Sequence, residues 1–125
     1  MKNETVLITG GTSGIGLELA KLFARDGYNM VIVARDEQEL ADTNALLQEH
    51  RVNITTIAKD LFYPGNAFEL YDEIKEQGIK IDILVNNAAQ GQYGLFADGD
   101  INRYLDIIQL NISSVVVLTQ PFLKD

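Results

Sequence analysis

The 125-residue chain has no cysteine, and its only histidine is His50. Disulfides and thiolate-bound metals are thereby excluded, and so is a metal centre built from clustered imidazoles. Positive charge is scarce: 10 Lys and Arg stand against 18 Asp and Glu, a formal charge of -8 at pH 7. That balance argues against an electrostatic grip on DNA, RNA or an anionic membrane surface. The start also lacks a leader-like or membrane-spanning run. Met1-Lys2-Asn3-Glu4 leads into a short apolar stretch that glycines end, which makes a cytoplasmic location the expectation. There is no internal repeat, low-complexity tract or linker, and the length suits one domain.

Two patterns alternate along the chain. Short β-rich runs occupy Thr5–Thr9, Met30–Ala34, Ile54–Lys59 and Ile83–Asn86. The segments between them have helical spacing. Ile15, Leu19, Leu22 and Phe23 fall on one face, then Leu40, Thr43 and Leu47, then Phe68, Tyr71 and Ile74. Gly27 and Gly78 stand where helices would close, and Pro64 stands where the third would open. Strict alternation of strand and helix predicts an α/β fold: a doubly wound parallel sheet with helices on both faces.

From Ile101 to Leu123 the apolar residues exceed one helical stripe. Such a helix needs cover on two sides. The sheet supplies one, and the other falls to more of the same chain or to a second subunit.

Thr9-Gly10-Gly11-Thr12-Ser13-Gly14-Ile15-Gly16 follows the first strand and opens the first helix. Gly10 suits the tight turn out of the strand, Gly14 a close approach of backbone to a pyrophosphate, and Gly16 close packing of helix on sheet. The helix N-terminus offers N–H groups and a positive dipole end to phosphate. The spacing Thr-Gly-x-x-x-Gly-Ile-Gly resembles the signature of the short-chain dehydrogenase/reductase family. A second family signature, Asn-Asn-Ala-Gly, has its counterpart in Asn86-Asn87-Ala88-Ala89, with Ala89 departing from the pattern. The resemblance covers essentially the whole chain and corresponds to the N-terminal half of that family, a Rossmann-type dinucleotide-binding portion, which implies the strand order 3-2-1-4.

The resemblance implies a cofactor site made of Gly10, Thr12, Ser13, Gly14, Ile15, Gly16, Arg35, Asp60, Leu61, Asn87, Ala88 and Ala89. NAD-preferring sites carry an acid at the end of the second strand, for the ribose 2′-hydroxyl. The aligned position here is Ala34, and Arg35 follows. A guanidinium suits a 2′-phosphate in charge and geometry, so NADP(H) is favoured over NAD(H). Asp60 would accept from the adenine amino group, Leu61 would pack on the ring, and Gln90–Gly94 would border the nicotinamide and substrate. An aspartate capping local backbone N–H groups is a compatible role for Asp60.

Family members interconvert carbonyls and alcohols with an Asn-Ser-Tyr-Lys set. Of these only the asparagine has a counterpart, Asn111, which would anchor a water in a proton relay. Tyr71-Asp72-Glu73-Ile74-Lys75 matches Tyr-x-x-x-Lys literally, but it precedes the fourth strand and reads as a packing helix. Ser113 and Ser114 sit too close to Asn111 to be the catalytic serine. The implied protein is therefore an NADP(H)-dependent oxidoreductase acting on a small carbonyl or alcohol, with these 125 residues inactive by themselves. The resemblance also implies an oligomer contact through the final helix. Two rivals remain: a dinucleotide-binding module without catalysis, and another Rossmann enzyme such as a methyltransferase. The glycine spacing and the Asn-Asn-Ala segment weigh against the second.

Overall fold

The computed structural model describes residues 3–125. Four parallel strands form one sheet in the order β3-β2-β1-β4: β1 Thr5–Thr9, β2 Asn29–Ala34, β3 Ile54–Ala58 and β4 Ile83–Val85. β1 pairs with β2 from Thr5↔Asn29 to Thr9↔Val33, and with β4 from Val6↔Ile83 to Ile8↔Val85. The helices are α1 Gly14–Arg25, α2 Glu37–Leu47, α3 Asn66–Glu76, α4 Ile101–Ile108 and α5 Ser114–Lys124. α4 and α5 form one rod, joined by a wide turn of π-type hydrogen bonding over Gln109–Ser113. The expected architecture and strand order hold.

Side chains alternate across the sheet, as the pleat requires. Val6, Ile8, Met30 and Ile32 join Ala20, Ala24, Leu40 and Leu47 in a core beneath α1 and α2. Leu7, Val31 and Val33 join Leu70, Ile74, Leu118 and Phe122 in a second core beneath α3 and α5. Each large side chain so buried contributes about 1.5–3 kcal/mol of transfer free energy.

Three expectations need correction. In α1 the buried residues are Gly16, Ala20 and Ala24, while Ile15 is 73% and Leu22 46% exposed. The helix lies too close to the sheet for bulky residues, so its small face goes in. In α3 the buried positions are Ala67, Leu70 and Ile74, and Phe68 points to solvent. This helix begins at Asn66 behind Gly65, two residues after Pro64. In α2 the buried set Leu40, Thr43 and Leu47 is the one the spacing predicted.

The α4–α5 rod, Ile101–Lys124, is long and apolar enough to meet a membrane-span criterion. Leu110, Leu118 and Phe122 nevertheless pack into the core beside α3. Its opposite side exposes Ile101, Leu105, Ile108, Ile112, Val116 and Leu123.

Candidate functional site

The carboxyl ends of the four strands open into one cleft of about 660 Å³. It lies where β1 feeds α1 on one side of the sheet and its neighbour β4 leads away on the other. Open α/β sheets place ligands at such a switch point. The cleft brings together Gly10, Thr12, Ser13 and Ile15 from the glycine loop, Arg35 after β2, Asp60 and Leu61 after β3, and Asn87, Ala88 and Ala89 after β4. Gly14 and Gly16 are in the same loop and helix start but not in this lining.

The glycine loop is shaped for an anion. Gly14 has φ +54°, and a Cβ built there meets nothing within 4 Å. A ligand can therefore approach its backbone closely. Ser13 stands at the N-cap of α1 in an extended conformation, and its side chain makes no capping hydrogen bond. The first-turn N–H groups of α1 thus lack side-chain capping and remain available to phosphate oxygens. The start of α2 is the opposite case: Asp36 Oδ1 accepts from Gln38 N at 2.8 Å and Glu39 N at 3.2 Å. Gly16 has a different neighbour from the sheet that sequence suggested. A Cβ there would meet the Gly10 carbonyl oxygen at 2.1 Å and Asn87 Nδ2 at 2.5 Å.

Sequence reasoning missed Thr9, which joins the two halves of the cleft. Its Oγ1 accepts from Asn87 N at 3.1 Å and Ala88 N at 3.0 Å. The Asn87 side chain returns the bond, its Nδ2 donating to the Gly10 carbonyl at 3.0 Å. Asn86 Nδ2 donates to Thr119 Oγ1 at 3.0 Å, tying the end of β4 to α5. A threonine ending a strand carries no local signal of a partner more than seventy residues away.

Arg35 is exposed at the cleft rim, its guanidinium carbon 5.0 Å from the centroid of the Phe62 ring. Among the described residues it enters no ion pair. Arg103 approaches the same ring at 5.4 Å and donates to Gln90 Oε1. Neither Phe62 nor Arg103 belongs to a sequence motif, so neither was foreseen. Asp60 holds its local turn: Oδ1 accepts from Phe62 N at 2.9 Å, and its carbonyl accepts from Asn66 Nδ2 at 2.8 Å. Leu61 borders the cleft but is 4% exposed and packs in the core with Leu70 and Ile74. Lys59 also borders the cleft, but its ammonium turns to Glu73 at 2.5 Å and Glu69 at 3.4 Å. The bond to Glu73, foremost, holds its pKa above the usual lysine range.

Asn111 lies in the wide turn and spends both side-chain atoms on one residue. Oδ1 accepts from Gln90 N at 3.0 Å, and Nδ2 donates to the Gln90 carbonyl at 2.7 Å. It fixes the backbone that leaves β4. Further along the same loop, Tyr93 is almost fully exposed.

The literal Tyr-x-x-x-Lys pair is elsewhere. Tyr71 Oη donates to Asp125 Oδ2 at 2.9 Å, Lys75 Nζ donates to the same oxygen at 3.1 Å, and the Tyr71 ring packs edge-on against Phe122. The hydrogen bond to Asp125 raises both pKa values, and the two donors depress that of Asp125. Neither Tyr71 nor Lys75 borders the cleft. Ser114 is buried, donating to the Leu110 carbonyl within its own helix.

Comparison with known proteins agrees with this geometry. The short chain dehydrogenase family model matches residues 4–125. A dehydrogenase/reductase SDR family protein 7-like protein of Dictyostelium discoideum is 41% identical over 130 residues, covering 98% of this chain and 41% of that protein. The chain thus spans about half the length of the curated relatives it matches. A short-chain dehydrogenase from Sphingobium yanoikuyae, solved with NADPH, superposes with a TM-score of 0.85 at 36% identity, over 92% of this chain and 45% of that one. L-sorbose reductase from Gluconobacter frateurii, solved with NADPH and L-sorbose, gives 0.90 at 27% identity, over 99% and 49%. The chain belongs to the short-chain dehydrogenase/reductase family, whose members are oxidoreductases.

Proposed function

We propose that the cleft binds NADP(H) in preference to NAD(H), and that the chain serves an oxidoreductase acting on a small carbonyl/alcohol pair. The observation that carries this is Arg35: a guanidinium at the cleft rim, in no ion pair among the described residues, directly after a strand end that has Ala34 in place of an acid. The NADPH bound in the two solved relatives supports the choice. The chain's own residues fit such a ligand. Ser13 and Gly14 leave the start of α1 open to a pyrophosphate, and Arg35 would hold a 2′-phosphate by its charge and its N–H donors. When bound, the cofactor supplies or accepts the hydride. Asn111 holds Gln90, and with it the wall bordering the substrate end.

The test is a titration of NADPH and NADH against the chain and against Arg35→Ala. Loss of a hydrogen bond to a charged group costs about 1.5–3 kcal/mol. NADPH affinity should therefore fall at least tenfold while NADH affinity changes little. An unchanged preference would remove Arg35 from the 2′-phosphate role.

We further propose that these 125 residues alone turn over little substrate. The cleft lining includes no tyrosine, and Tyr71 and Lys75 are engaged by Asp125. A positioned proton donor is typically worth about 10²–10⁴ in rate. The same absence favours the second reading, a binding module without catalysis. NADPH oxidation with a panel of ketones and aldehydes, run beside Tyr71→Phe, decides: robust turnover abolished by the variant would overturn the reading of Tyr71 as a packing residue and make it the acid. The exposed stripe of the α4–α5 rod is where we place a second copy of the chain. Sedimentation at several concentrations should show concentration-dependent association.

A further inference from the structure

Glu39 is the third residue of α2, and it faces the glycine loop. Its Oε1 accepts from Thr12 Oγ1 at 3.2 Å across the mouth of the cleft. Thr12, Glu39 and Arg35 all border the same opening. Two other carboxylates do so, but each is committed to local backbone: Asp36 caps α2, and Asp60 holds Phe62 N. Glu39 is instead held by a single hydroxyl on a neighbouring loop.

We infer that Glu39 is a specificity-determining residue that restrains the preference for a 2′-phosphorylated dinucleotide, so that NAD(H) keeps a place in the same cleft; the inference rests on the 2′-phosphate role of Arg35. A carboxylate only accepts hydrogen bonds. It suits a ribose hydroxyl, which donates, and it repels a phosphate dianion. A guanidinium does the reverse. The strand end offers no acid at Ala34, but the first turn of α2 supplies one at the same mouth. Arg35 is not neutralised by it, since its guanidinium rests over Phe62 and not on a carboxylate. Both charges therefore act on whatever occupies the ribose 2′ position, with opposite signs.

Dissociation constants for NADPH and NADH, measured on the chain, Glu39→Gln, Glu39→Lys and Arg35→Ala, test this. Glutamine keeps the length and an oxygen for Thr12 while removing the charge. The NADPH-over-NADH ratio should rise about two- to fivefold in Glu39→Gln, the scale of a solvent-exposed charge interaction. It should rise further in Glu39→Lys. Both gains should shrink in about 1 M salt, where the screening length is about 3 Å; a purely structural contribution of Glu39 would not follow charge and salt in this way. A ratio unmoved by both Glu39 variants at low salt, with Arg35→Ala still altering it, would overturn the role of Glu39 alone. A ratio unmoved by Arg35→Ala but raised by the Glu39 variants would overturn the Arg35 assignment and keep Glu39. A ratio unmoved by all three would overturn both, as would failure of both cofactors to bind; binding of NADPH with none of NADH would overturn the role of Glu39 alone.

Discussion

On one side of β1 the sheet is regular: β2 pairs with it over five positions, and β3 pairs with β2 over five more. On the other side β4 pairs over only three, and all three of its residues are half-buried. The cleft spans both sides, so its two walls are built differently. The wall bearing Arg35 and Asp60 rests on a sheet ladder with cores on both faces. The wall bearing Ala88 and Gln90 is held by side chains gripping backbone: Thr9 on Asn87 and Ala88, Asn87 on Gly10, Asn111 on Gln90. Where the ladder is short, individual polar contacts carry the geometry. Single substitutions should therefore act more locally there.

Gly16→Ala should have the largest effect, because it strikes where the two walls meet. The added methyl would lie 2.1 Å from the Gly10 carbonyl oxygen, which is backbone and cannot swing aside. We expect a loss of about 3 kcal/mol, at the upper end for overpacking, read as a lower urea midpoint. Gly14→Ala is the control. It meets open space, so only its positive φ matters, at about 1 kcal/mol. Equal losses at the two positions would mean that contact at Gly16 is not the determinant.

Thr9→Val should cost about 1–2 kcal/mol, since Ala88 N loses its acceptor beside a buried residue and Asn87 N keeps only the Val85 carbonyl. If the walls differ as described, amide exchange should quicken at Asn87 and Ala88 while the β1–β2 ladder stays protected. Uniform loosening would contradict the comparison.

Arg103→Ala removes the link between Phe62 on one wall and Gln90 on the other. An exposed cation–π contact is worth about 0.5–1 kcal/mol. NADPH and NADH affinities should both fall a few-fold, leaving their ratio unchanged. A changed ratio would make Arg103 a second discriminating cation instead of a brace.

The smallest effect should come from Asp125→Asn, outside the cleft. The depressed pKa of Asp125 means its contribution is present above the ordinary aspartate range and is lost as pH falls through the depressed value. The raised pKa values of Lys75 and Tyr71 mean theirs is present below their ordinary ranges and is lost as pH rises past the raised values. Thermal unfolding of wild type and variant should therefore differ slightly near neutral pH and converge in strong acid and strong alkali. Cofactor affinity should not change.

The comparison also explains what could be read from sequence. The parallel sheet and the glycine loop follow from alternation and spacing, which are local patterns, whereas the strand order came through the family resemblance. The buried face of α1 was misread because bulky residues dominate a periodicity, whereas close approach to the sheet selects Gly16, Ala20 and Ala24. Phe68 was misassigned for a related reason: its ring shares a helical sector with Tyr71 but lies beyond the edge of the covered surface. Thr9, Phe62 and Arg103 were invisible because their partners are brought near only by the completed fold. Asn111 was singled out through family resemblance, and its grip on Gln90 is a contact across 21 residues that no local pattern encodes.

The wide turn at Gln109–Ser113 sets a phase. It carries Asn111 toward Gln90 and still delivers Leu118 and Phe122 to the core. A π-type turn holds one residue more than the α-helical turn it replaces, so removing one residue from it would leave a plain α-helix with everything downstream near its present phase. Removing a residue from α5 just before Leu118 would instead rotate everything beyond by about 100° around the rod axis, and Leu118 and Phe122 would leave the core. In this rod the wide turn is the one place where a residue can be lost without re-aiming the rest.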